Sequence, residues 1–149
     1  MGLGFDGYNQ ASNANIPEQS ASGDRSGTMV VAGKVDQGAS NNKEMDLTVS
    51  LTDYADEPVE EVSIQYATGD QPLQLGLSLK GLPNATFTGT FTGTPTMSGG
   101  LAGTVTLDLA LSGETEENQD GEVQRKQGTL RITGTATSAF GTYDVDISR

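Results

Sequence analysis

At 149 residues the chain can form one domain with a core, and its composition of 34% hydrophobic residues, 20 glycines and a net charge of −12 bounds what that domain can do. Twenty acidic side chains against eight basic ones repel phosphate, which argues against nucleic acid and anionic membranes as partners. Cysteine, histidine and tryptophan are all missing, so there is no disulfide, thiolate nucleophile or imidazole base, and any metal site would need oxygen ligands of the kind Ca²⁺ takes.

The opening Met1-Gly2-Leu3-Gly4 has neither the basic nor the apolar part of a signal peptide, and Asp6 stands where an N-myristoylation motif wants Ser or Thr. An export signal is expected to have been removed ahead of Met1. Small and polar residues dominate 2–27, with Leu3, Phe5, Tyr8 and Ile16 the only bulky apolar ones. That composition buries too little to offset its ordering entropy, so residues 1–26 are expected to be a flexible arm or tether and 27–149 a single domain. A Ser/Asn/Ala/Gly-rich tether ahead of a β domain resembles the start of mature bacterial surface or periplasmic lipoproteins, although the lipidated cysteine of such proteins is absent here. The resemblance implies a periplasmic, cell-surface or secreted location; a cytoplasmic one also fits the composition. In another reading Phe5 and Tyr8 dock the arm on a neighbouring subunit and give a homo-oligomer.

From residue 28 onwards apolar residues alternate with Thr, Ser, Asp and Gln, the period-2 signature of strands with one dry face. Residues 28–35 carry Met29, Val31 and Val35; 44–52 carry Met45, Leu47, Val49 and Leu51; 62–67 carry Val62, Ile64 and Tyr66. The clearest strand, 73–80, sets Leu73, Leu75, Leu77 and Leu79 against Gln74, Gly76, Ser78 and Lys80. Residues 85–93 place Phe87 and Phe91 opposite a row of threonines, and 102–112 carry Val105, Leu107, Leu109 and Leu111. The stretch 113–127 reads as the longest interior loop. After it, 128–137 shifts to even positions with Leu130 and Ile132, and 142–148 returns to odd ones with Tyr143, Val145 and Ile147.

This predicts an all-β fold of about eight antiparallel strands in a meander, closed as a barrel or strongly curved as a sandwich, with no substantial helix. No apolar run approaches the ~18 residues of a membrane-spanning helix. Glycine at the inward positions Gly33, Gly89, Gly93 and Gly103 either lets strands coil closely or leaves room for a ligand. In the second case the cavity is expected around Leu75, Leu77, Phe87, Phe91, Leu107 and Leu109.

Two acidic clusters hold half of the chain's acids: Asp53, Asp56, Glu57, Glu60 and Glu61 around Pro58, and Glu114, Glu116, Glu117, Asp120 and Glu122. The second superficially resembles the first half of an EF-hand calcium loop, with Glu116, Asn118, Asp120 and Glu122 as its candidate ligands. It departs from that pattern in starting with Glu, in ending with Gln127 in place of the bidentate Glu, and in lying between strands. A solubilising hairpin loop accounts for the same residues, and no other cofactor is indicated. Asn84-Ala85-Thr86 is a glycosylation sequon that would matter only in a eukaryotic secretory setting.

The residues therefore point to a non-enzymatic, exported, surface-tethered β domain with a binding or assembly role, its partner an unidentified protein or glycan. The alternative is a carrier of a small apolar ligand, resembling calycin barrels in topology alone. A hydrolase using two carboxylates comes third, because tryptophan is missing and the acids fall in loops.

Overall fold

The computed structural model of the chain describes residues 1–36, 38–56 and 63–149. Helix α1 (Gly2–Gln10) comes first. Among the described residues eleven strands follow: β1 (Asn15–Ser22), β2 (Ser26–Val35), β3 (Lys43–Ala55), β4 (Ile64–Ala67), β5 (Leu73–Lys80), β6 (Thr86–Gly93), β7 (Thr96–Gly99), β8 (Gly103–Glu117), β9 (Val123–Arg125), β10 (Arg131–Ser138) and β11 (Gly141–Ser148). Val62, Pro58, Glu57, Glu60 and Glu61, named above in a strand and in the first acidic cluster, lie outside the described residues.

All the ladders are antiparallel, and they join the strands into one sheet in the order β1-β2-β3-β4-β7-β8-β10-β11, with β5 between β3 and β6, and β6 on to β8. β5 pairs with Lys43–Val49 of β3, and β4 meets the same strand further on, where Tyr54 faces Tyr66. β4 and β5 are thus one long strand interrupted at the Gly69-Asp70 turn. β6 and β7 are a second such strand, interrupted before Pro95, since both pair with β8. The ring of pairings β3-β5-β6-β8-β7-β4 encloses these two breaks. Taken this way the sheet is a meander eight strands wide with β1 and β11 at its ends; the sequence pattern reaches the same number differently, without β1 and with the β4 and β5 segments as separate strands.

The odd-numbered face forms the core. Along β5 the exposure alternates strictly, with Leu73, Leu75, Leu77 and Leu79 buried. Val31, Met45, Leu47, Val49, Phe87 and Leu111 join them in one cluster. On β10 the register explains the switch to even numbers: Ile132 lies opposite Leu111 on one side and Ile147 on the other, on the same face. Gly134 takes φ +141°, and a Cβ there would lie 2.1 Å from the carbonyl oxygen of Asp108, so this position admits only glycine where β10 coils tightly over β8.

Two expectations need correction. Residues 1–26 are not a free arm. Residues 2–10 are helical, β1 is paired along β2, and Phe5 and Ile16 are among the most deeply buried side chains of the core. Physically, a few large apolar residues suffice when the sheet already supplies the surface that buries them. Second, 113–127 is not one loop. β8 runs on to Glu117 and pairs with β9, leaving only a short turn, because Thr115 is buried and bound on both sides.

Candidate ligand-binding cavity

The interior of the curled sheet has two halves. In one, α1 is the filling. Phe5 packs edge-on against Phe87, and Gly4 and Gly7 let the helix approach so closely that a Cβ would sit 2.8 Å from Leu47 Cδ1 and 2.6 Å from Ile16 Cγ2. Asn9 fastens the helix to β9 by donating to the Val123 carbonyl (2.8 Å) and accepting from its N–H (3.0 Å). The helix thereby bridges β1 and β2, at one end of the sheet, to β9, which pairs with β8.

In the other half, among the described residues, no segment fills the space; Met1, just ahead of α1, forms part of the lining, and an apolar cavity of about 520 Å³ remains. Its wall runs from Met29 and Val31 on β2, through Val49, Leu51 and Tyr54 on β3, to Leu73 and Leu75 on β5. It continues over Phe91 on β6 and Leu107 and Leu111 on β8 to Ile132 and Ala136 on β10. That one hollow touches both β2 and β10, near opposite ends of the sheet, shows how far the sheet has curled. Protein interiors leave few voids larger than a water molecule, and this space falls within the ~300–1,000 Å³ of ligand pockets.

Polar groups are few on this wall. The Tyr54 hydroxyl donates to Asp56 Oδ2 at 2.9 Å, which turns the polar end of that side chain towards exposed Asp56 while its ring joins the lining. Burial, and next the hydrogen bond to Asp56, push the Tyr54 pKa up to about 12. Tyr66 stands opposite it on β4, so two phenol rings flank one part of the wall.

Of the six residues expected around a cavity, Leu75, Phe91 and Leu107 line it. Leu77 and Phe87 lie in the packed core, Phe87 directly under α1. Leu109 is half-buried opposite Phe91 and Gly134, away from the wall. Met29, Tyr54, Tyr66 and Ala136 were not anticipated. Their parity marked most of them as inward, but nothing in the sequence said which half α1 would occupy.

No protein-family model, curated protein or solved structure matches this chain. The cavity therefore has to be interpreted from its own chemistry.

Of the candidate calcium residues, Asn118, Asp120 and Glu122 lie in the turn between β8 and β9, and Glu116 sits near the end of β8 opposite Gln124. Asn118 Oδ1 accepts from the N–H groups of Asp120 and Glu122, both at 2.9 Å, and its amide donates to Glu122 Oε2 at 3.1 Å. Glu116 accepts from the Gln124 side chain at 3.0 Å. These bonds give Asn118 the work of closing the hairpin. Among the described residues no three acidic side chains gather as a metal group would require. A second hollow of about 600 Å³, between Tyr8, Asn13, Asp36, Lys43 and Gly121, lies open to solvent and is polar. It lacks the enclosure that would desolvate a ligand.

Proposed function

We propose that the chain is a non-enzymatic binding domain that holds a small apolar molecule inside its curled sheet. The observation that carries this reading is the unfilled half of the core: about 520 Å³ walled by Met, Val, Leu, Ile and aromatic side chains. The wall is apolar, so a hydrocarbon or aromatic guest would be held by burying its own apolar surface against it. The lining side chains carry no charge, and burial lowers the pKa of the Met1 α-amino group, which favours its neutral form, so the wall suits a neutral guest. The same features speak against catalysis. Among the described residues the buried polar side chains are Thr68 and Thr115, both hydroxyls occupied in backbone hydrogen bonds, and carboxylates sit on the outside.

Native mass spectrometry of the purified protein is the direct test. A retained neutral mass of a few hundred daltons supports the reading. If the protein is bare, titration with N-phenyl-1-naphthylamine, a neutral fluorophore, replaces it: saturable binding at one site per chain is expected, and failure to saturate overturns the proposal.

A further inference from the structure

The free edge of β11 carries an inference that does not depend on what fills the cavity. β11 pairs with β10 along its whole length, from Arg131↔Ser148 to Ser138↔Gly141, and is the last strand in the sheet order. Among the described residues no strand pairs with its other edge, which presents backbone N–H and C=O groups as a template for another strand. The side chains on this strand are unusual for an edge. Tyr143 is 57% exposed and Ile147 40%, and Phe140 in the preceding turn is 52% exposed; among the described residues these are the large apolar side chains left in water. Tyr143, Val145 and Ile147 share the inward face, beside Ala136, Gly134 and Ile132. The opposite face carries Asp144 and Asp146, of which Asp146 is held by Arg131 at 3.1 Å.

From this pattern we infer that the β11 edge accepts an extended segment of another polypeptide in which basic and apolar side chains alternate. A strand added there would gain main-chain hydrogen bonds from the edge and specificity from its alternate side chains. Its apolar residues would cover Tyr143, Val145 and Ile147, and a Lys or Arg on the other face would meet Asp144. The charge pattern also decides against a second copy of this chain. Two β11 strands related by a two-fold axis run antiparallel. Centred on Val145, Asp144 of one would face Asp146 of the other; centred one position to either side, Asp144 or Asp146 would face itself. Like charges directly opposite are destabilising in a sheet, and a net charge of −12 on each copy adds to the repulsion. In these three registers the aspartates disfavour self-pairing, while the edge stays open to a basic strand.

The test uses two capped synthetic peptides, one alternating lysine with valine and one alternating glutamate with valine, added to the isotopically labelled whole chain. Amide hydrogen exchange read by NMR is expected to slow at least tenfold on β11 with the lysine peptide and to stay unchanged with the glutamate peptide. Asp144→Lys, on an exposed side chain, is expected to reverse that preference while leaving N-phenyl-1-naphthylamine binding unaltered. The inference is overturned if neither peptide protects β11, if both do so equally, if the preference survives Asp144→Lys, or if the chain dimerises through β11 without any peptide.

Discussion

The ring of Phe5 stands edge-on to the ring of Phe87, centroids 6.2 Å apart and planes inclined by 62°. Phe87 in turn lies across from Gly113, where a Cβ would come within 2.6 Å of its ring tip, so the glycine makes the slot in which the pair sits. A residue from the first turns of the chain is therefore a core residue of the sheet. Truncating Phe5 to Ala should cost about 3–5 kcal/mol, the range for deleting a buried aromatic ring. A urea denaturation series of the two proteins measures it. A change within about 0.5 kcal/mol, as for a surface residue, would mean that the helix does not hold the core.

How much of this could be read in advance follows from particular residues. The alternation through 73–80 and 44–52 located strands, their inward faces and the meander, because a period of two is imposed by backbone geometry and survives any tertiary context. α1 was hidden for the opposite reason. Gly2, Gly4 and Gly7 in nine residues oppose helix formation by about 1 kcal/mol each relative to Ala, so local propensity argued against it. Yet Gly4 and Gly7 are the points at which the helix touches Leu47 and Ile16, and that packing exists only once the sheet has formed. The same gap misplaced the cavity: Phe87 and Leu107 have the same inward parity, and only the position of α1 makes one a packed core residue and the other a wall.

Thr115 offers a test of the strand that replaces the expected loop. Its hydroxyl donates to the Pro83 carbonyl at 2.6 Å and accepts from the Ala85 N–H at 2.8 Å, and the residue is 3% exposed. Thr115→Val keeps the shape and strands both backbone groups without a partner. A loss of about 1–3 kcal/mol is expected. Calorimetry checks it, and an unchanged melting temperature would show that water reaches this joint.

Tyr54 supplies a pH dependence. Its folded-state pKa, about 12, lies above the ~10 of an unfolded tyrosine, so the protonated phenol is favoured by folding. The stability this gives is fully present below about pH 10 and is lost as the pH rises through about 12. Lysines and the other tyrosines titrate in the same window, so the quantity to measure is the difference between wild type and Tyr54→Phe. The wild-type urea midpoint should fall towards that of the variant over this range. Parallel curves would show that neither burial nor the Asp56 hydrogen bond holds the phenol protonated in solution.

Ala136 separates a cavity kept for a guest from one left by imperfect packing. It is the smallest side chain of the wall, on β10 beside Leu107 of β8. Ala136→Phe directs a ring into the empty half of the core, and filling a cavity of this kind commonly adds about 0.5–2 kcal/mol of stability. The variant should therefore melt higher than wild type while N-phenyl-1-naphthylamine fluorescence drops to the level of free dye. A gain in stability with dye binding unchanged would place the binding site elsewhere. Lost stability with binding retained would mean that the half-core is already filled by rearrangement of its own walls. The combination expected here, a sturdier protein that no longer binds, is what a fold shows when it holds open a space that its own side chains could have occupied.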